Sequence, residues 1–409
     1  MIPSKYKDFI NKTEKPIAFL LARYMTLDLG VIRSLNKKKI PTFVLSTRKK
    51  PTCSRSKYYK GTIYPDPKLD EKKYIDFLLK LGEKLKNKGV LFPVGDIELS
   101  VISKNKKKLE KYFNFFSDDL KNIEKFLNKR IFFKTIEKYT IPHPKTYPIN
   151  DLSDAEIISK KIDYPCIIKP IYSDYFRSDF KIKLFIAETE KELINKFKIA
   201  SSGGHEVIVQ EIIPGSVRNH YGYNGFYNKK SQPNGCFMYR RIREWHHRFG
   251  NGCMIESVYE PELEKITTNL VKKIGYHGIV DAEFKKDKRD NMFKIIEINP
   301  RCWMQNGFPT RCGINFPYMA YMDAIGKKFE KQVFNKKHVK WLYMPEDIVS
   351  SIKYLKNKQL SLKEWLKSFK GNKEYAIFSW DDPLPFFAML NDLPVLYRKK
   401  QIYKEKTII

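Results

Sequence analysis

The chain's patterning predicts an α/β fold that opens with a parallel sheet covered by helices on both faces. Short apolar runs alternate with stretches of helical spacing through roughly the first 110 residues. The 409 residues, 42% hydrophobic and 14% aromatic, suffice for two or three domains, each with a sizeable core. No apolar run approaches the length of a membrane span, and the N-terminus shows no signal-peptide core. A cytoplasmic enzyme is therefore expected.

The elements follow in order. Pro16–Leu21 is an apolar strand, Leu27–Lys37 is spaced as a helix, and Ile40–Leu45 is extended. A second helix fits Lys72–Lys88, and Val90–Val94 is a buried strand ending in Gly95-Asp96, with a helix beyond to about Lys111. Ligands of such sheets sit past the carboxyl ends of the strands, which places Asp96 near a binding crevice. The loop Ala22–Leu29 carries no Gly-x-Gly-x-x-Gly, so a dinucleotide fingerprint is absent. Lys121–Tyr139 reads as one charged helix, ended by the extended stretch around Pro142 and Pro144. Tyr164–Pro170 is a short strand bearing Lys169, Glu188–Phe197 is a helix, and Val207–Ile213 is an apolar strand closed by Pro214-Gly215. Two or three strands are expected over 219–259, then a helix at Pro261–Ile274 and another at Asn315–Ile325. Beyond about Val333 come two helix-like pieces and the turn cluster Asp381–Pro385. These features divide the chain into 1–120, 121–330 and an α-rich extension over 331–409.

The formal charge of +32 invites a nucleic-acid partner, but the lysines are spread over Lys37–Lys39, Lys106–Lys108, Lys285-Lys286, Lys336-Lys337 and Lys399-Lys400. No nucleic-acid module organises them, so lysine as a general surface residue is the simpler account. No specific nucleic acid is expected, while weak attraction to an anionic membrane surface stays open. The six cysteines (Cys53, Cys166, Cys236, Cys253, Cys302, Cys312) lack Cys-x-x-Cys spacing, which favours reduced thiols over zinc or disulfides. His246-His247 has no ligand spacing to a cysteine or acid and is read as non-metallic.

The most informative stretch is Phe293–Arg301. Strand alternation puts Glu297 and Asn299 on one face. Val280–Phe284 reads as a partner strand with Asp281 and Glu283 on the shared face, joined by the polar loop 285–291. That hairpin sets Glu283 beside Glu297. Two carboxylates and a carboxamide oxygen suit Mg²⁺, which prefers hard oxygen ligands and substrate phosphates. The exposed polar face of an ordinary hairpin explains the same pattern, and on these residues alone both readings stand.

Other features fall in a consistent order before it. Lys134 lies just ahead of the Pro142/Pro144 break, Lys169 ends one strand, Gln210-Glu211-Ile-Ile213 ends another, and Glu283, Glu297, Asn299 and Arg301 follow. This order resembles the ATP-grasp superfamily of carboxylate–amine ligases over about residues 120–330. More narrowly, Ser54–Tyr58, Gly275–Gly278, Asn299–Trp303, Gly313–Tyr318 and Trp380–Pro385 are similar to the predicted carboligase branch that includes D-aspartate ligases. The resemblance implies a Rossmann-like pre-ATP-grasp domain, then an ATP-grasp fold whose two α+β subdomains enclose ATP.

It also implies roles. Mg²⁺, with Mn²⁺ as an alternative, would sit on Glu283, Glu297 and Asn299. Lys134 and Lys169 would meet the α and β phosphates, and Gln210, Glu211 and Ile213 the adenine. Arg301, with Lys169, would stabilise charge on the transferred phosphoryl group or the oxyanion. Asp96, Arg241 and Arg311 are candidates for substrate contact; alternation puts Arg241 and Arg243 on one side of their strand. One departure is plain: Ile171–Lys181, where many members have a glycine-rich phosphate loop, contains no glycine and offers only the side chains of Ser173, Arg177 and Ser178. The expected function is ATP-dependent amide formation between a small carboxylate and an amine, and a homodimer is compatible with it. Two alternatives remain: a kinase that stops at phosphoryl transfer, and a non-catalytic basic protein binding nucleic acid or an anionic membrane.

Overall fold

The computed structural model describes residues 2–391 apart from positions 24, 50, 246–248 and 335–337. The pairs His246-His247, Lys336-Lys337 and Lys399-Lys400 therefore lie outside the described residues. The apolar runs of the N-terminal part form β1 (Ala18–Ala22), β2 (Thr42–Ser46), β3 (Gly61–Ile63), β4 (Gly89–Pro93) and β5 (Phe113–Asn114). All pair in parallel, in the order β3-β2-β1-β4-β5. β1, β2 and β4 are buried at every position, as strands covered on both faces must be. The order reverses between β1 and β4, and the crevice at their carboxyl ends holds Arg23 and Asp96.

One face of this sheet (Leu20, Val44, Val90, Phe92) shares a core with Phe226, Phe237, Trp303, Phe316 and Trp341 of the later chain. The other (Phe19, Leu21, Phe43, Leu45) packs with Tyr74, Leu78 and Ile102. Shared burial of large apolar side chains thus fixes the first sheet against the rest of the molecule.

A second, four-stranded antiparallel sheet is built from β6 (Thr146–Ile149), β7 (Cys166–Pro170), β8 (Phe185–Ala187) and β9 (Val207–Glu211), in the order β6-β9-β7-β8. The third comprises β10 (His220–Tyr227), β11 (Pro233–Trp245), β12 (Asn251–Ser257), β13 (Gly278–Lys286), β14 (Phe293–Asn299), β15 (Val339–Leu342) and β16 (Asn372–Tyr375). Its seven strands run in the order β14-β13-β10-β11-β12-β15-β16. The segment after residue 331 thus carries β15 and β16, which extend this sheet, as well as the helices Met344–Lys356 and Leu362–Ser368.

Two local features differ from expectation. Lys121–Tyr139 is split into helices Leu120–Leu127 and Lys129–Lys138, because Asn128 stops the first and caps the second by accepting from Ile131 N. The glycine-free segment forms a helix, Ser173–Phe180, in which Phe176 and Phe180, four residues apart, pack together against Phe185 and His205.

Two distant motifs also meet. The Asp382 carboxylate accepts from Ser56 Oγ at 2.7 Å, Lys57 N at 2.9 Å and Arg33 Nε at 3.0 Å, clasping the C-terminal turn to the first sheet's loops. Among the described residues all six cysteines are free, and no helix is long and apolar enough to cross a membrane.

Candidate active site

The hairpin β13–β14 pairs Glu283 directly opposite Glu297, and Asp281 opposite Asn299. Below that pair the register slips by one, so that Phe284 faces Ile295 and Ile296 is left unpaired. Such a bulge reverses the phase of alternation. Phe293 and Ile295 are buried, Ile298 is buried, and Ile296, Glu297 and Asn299 all line one cleft of about 190 Å³. The cleft takes its other polar walls from Asp96, Lys129, Lys169, Ser173, Asp174, Arg177, Lys183, Arg241, Glu283 and Arg301, and its apolar wall from Phe126, Leu127 and Phe132.

Asn299 is oriented by its neighbours. Its Nδ2 donates to Asp281 Oδ2 at 3.2 Å, while its Oδ1 accepts from Arg301 Nη2 at 3.4 Å. Asn224 Nδ2 donates to the other Asp281 oxygen at 2.8 Å. Burial, with Glu283 beside it, pushes the Asp281 carboxyl up to about 8 against the pull of Arg301. Glu283, Glu297 and the Asn299 carboxamide oxygen form a hard-oxygen donor set, so these residues fit a divalent cation. No group of three His, Cys, Asp or Glu side chains suited to a metal occurs among the described residues, which leaves Asn299 or a ligand's oxygens to complete the shell.

Cations surround the carboxylates. Arg241 Nη2 lies 2.6 Å from Glu283 Oε2. Burial opposes ionisation of Glu297, yet Lys129, Lys169 and Lys183 hold its carboxyl below the ordinary range. Burial lowers Lys169 to about 8 although Glu297 pulls it up, and Lys169 Nζ donates to Gln210 Oε1 at 2.8 Å. Gln210 in turn donates through Nε2 to Thr146 Oγ1 at 2.8 Å. Asp96 pairs with Arg301; against the upward push of burial, Arg301, Lys129 and Arg23 keep its carboxyl below the usual value.

The expected residues are not all gathered here. Lys169, Glu283, Glu297, Asn299, Arg301, Asp96 and Arg241 are. Gln210 adjoins the cleft through Lys169, while Glu211 is buried with Lys145 N at 2.9 Å and Arg289 Nη2 at 2.9 Å as partners. Ile213 lines a larger neighbouring cleft of about 500 Å³, which shares His220 and Phe249 with the first.

Three expectations are corrected. Lys134 is exposed on helix Lys129–Lys138 and does not line the cleft; Lys129 does. The two stand five residues apart, about 140° around the helix, so the side chains leave on different faces. Arg311 is exposed on a separate surface, 3.8 Å from Glu374. A bulge at Ile242 separates Arg241 from Arg243, which turns away to bind Asp347 at 2.6 Å. The cleft lysines Lys129 and Lys183 were not anticipated; the Asn128 cap marks the first, since it makes Lys129 the start of a helix rather than its middle.

The chain matches no protein-family model. It is 27% identical over 348 residues to the D-aspartate ligase of Enterococcus faecium (strain Aus0004), covering 81% of this chain and 80% of that protein. Among solved structures, biotin carboxylase from Campylobacter jejuni superposes with a TM-score of 0.63 at 17% identity, over 78% of this chain and 74% of that one. L-amino acid ligase from Bacillus licheniformis gives 0.60 at 13% identity, over 78% and 76%. The order of the strands, the cleft between the second and third sheets and these likenesses agree. The chain has an ATP-grasp fold, and in sequence it resembles a D-aspartate ligase.

Proposed function

We propose that the protein is an ATP-dependent carboxylate–amine ligase that forms an amide through an acylphosphate and releases ADP and phosphate. The observation that carries this reading is the opposed pair Glu283/Glu297 with Asn299 and Arg301, set in a cleft walled by Lys129, Lys169 and Lys183. A carboxylate attacking ATP meets charge of its own sign, and the cations lower that repulsion before any bond forms. A carboxylate oxygen attacks the γ phosphorus and the bond to the β-phosphate oxygen breaks, so ADP leaves. The neutral amine then attacks the acyl carbon, phosphate departs with the C–O electron pair, and the nitrogen gives up its proton to solvent.

In this reading Glu283, Glu297 and Asn299 hold Mg²⁺, which when bound neutralises phosphate charge and aligns the reactants. Lys169 and Lys129 meet the phosphates as point charges. Gln210, Glu211 and Ile213, at and just beyond the end of β9, would meet the adenine where the neighbouring cleft that Ile213 lines borders the first, whose wall includes Ile296. Arg301 donates to the transferring phosphoryl group, with Asp96 orienting its guanidinium. Charge supports an amino acid with a second carboxylate, such as aspartate. The cleft lining counts six cations (Lys129, Lys169, Arg177, Lys183, Arg241, Arg301) against four carboxylates (Asp96, Asp174, Glu283, Glu297). Two Mg²⁺ ions would offset the roughly four negative charges of ATP and leave that excess for the acid substrate.

The test mixes protein, ATP and Mg²⁺ with panels of amino acids and amines, following ADP and new masses. ADP release that needs both an acid and an amine, with an amide product, is expected. A stable phosphorylated product formed without amine would mark a kinase instead.

A further inference from the structure

The segment after β7 shows how this cleft is covered without glycine. Helix Ser173–Phe180 contributes Ser173, Asp174 and Arg177 to its wall. On one side Phe176, fully buried, fastens the helix to the core of the four-stranded sheet. On the other, the helix is held by the N-terminal sheet and the helices that follow it. Asp174 Oδ2 accepts from Arg23 Nη1 at 3.4 Å, and Arg23 also binds the buried Glu98 at 3.1 Å. Lys129 Nζ donates to Ser173 Oγ at 3.0 Å. Lys68 donates to Ser178 and stands 5.1 Å over the Tyr175 ring.

Arg177 points to what the cover does. Its Nε is buried and has no hydrogen-bond partner, and no carboxylate lies within ion-pair distance of it among the described residues. Its near neighbour is another cation, Lys183, whose Nζ donates to Asn251 Oδ1 at 2.7 Å. A desolvated donor and two like charges side by side are costly unless an anion with several oxygens sits between them.

We propose that Arg177 is the phosphate-binding cation of a helical lid. The helix sets a guanidinium fork, with Lys183 beside it, against the terminal phosphates, in place of the main-chain amides of a glycine loop. Asp174 and Lys68 hold the helix where Arg177 can reach. This assignment rests on the reading of the cleft as an ATP site.

Calorimetric titration of wild type, Arg177→Ala and Arg177→Lys with MgATP and with AMP separates the possibilities. Arg177→Ala is expected to weaken MgATP about ten- to a hundredfold, the effect of one lost charge-assisted bond, and to leave AMP unchanged. Arg177→Lys recovers part of the loss, since it restores charge without the fork. Wild-type affinity for MgATP in Arg177→Ala, or loss of MgATP and AMP by the same factor, would overturn the proposal. A wild-type protein that binds neither nucleotide overturns the ATP reading beneath it.

Discussion

Replacing Lys169 by arginine separates its charge from its ability to titrate. In the free protein burial depresses this lysine to about 8, with Glu297 opposing the shift. Below that pH the side chain is charged and able to meet phosphate; above it the charge is lost. Because kcat/KM reports groups of the free enzyme, it should fall on the alkaline side with a midpoint near the lysine's own value. One unit above the midpoint only about a tenth of the protein keeps the charge, so kcat/KM drops about tenfold. Arginine stays protonated throughout this range, so Lys169→Arg should erase the alkaline limb. Fitting the larger group beside Gln210 costs about 1–3 kcal/mol of strain, so its plateau lies below that of the wild type. Glu297→Gln should act oppositely, moving the limb to lower pH because the carboxylate that raises Lys169 is gone. The assay is ADP formation from about pH 6 to 10 at limiting ATP. An alkaline limb that survives unchanged in Lys169→Arg would refute the assignment of this titration to Lys169.

The corrected lysine assignment can be checked in parallel. Lys129→Ala should lower kcat/KM by about ten- to a hundredfold, whereas Lys134→Ala, altering an exposed helix face, should leave it near wild type. Glu297→Ala should cost about 10²–10³ in turnover and weaken the response to added Mg²⁺, read from ADP release across a Mg²⁺ titration. Away from the cleft, Arg243→Ala strands the buried Asp347 carboxylate that Arg243 binds at 2.6 and 3.0 Å. It should lower stability by about 3–5 kcal/mol, seen as a shift of the denaturant midpoint.

How much of this was legible depended on the range of the signal. The Glu283–Glu297 pairing could be read because alternation and a short polar loop are local, and a hairpin leaves few other registers. The bulge at Ile296 could not, since no local pattern marks it; it brings Ile296 into the cleft beside Glu297. Lys134 stood out only by its place ahead of the Pro142/Pro144 break, and in a stretch that reads as one helix nothing marks Lys129. Asn128 is a cap whose effect emerges only when the second helix turns to bury Phe132 and Phe133. The lid helix did leave a trace in Phe176 and Phe180 at helical spacing, obscured by the polar residues between them. Arg311 shows the limit of position along the chain: a place beside the Gly313 turn said nothing of its direction, and it meets Glu374 of β16 instead. Short strands such as β15 and β16 take their identity from the sheet edge they join, a long-range pairing that residues 339–342 and 372–375 do not encode alone.

The central claim is that a carboxylate is activated by transfer of phosphate to one of its oxygens. With the acid that the substrate panel identifies, labelled with ¹⁸O in both carboxylate oxygens, the released phosphate can be weighed by mass spectrometry. An acylphosphate path predicts one ¹⁸O atom in the phosphate for each amide formed. Amide formation with unlabelled phosphate would contradict it.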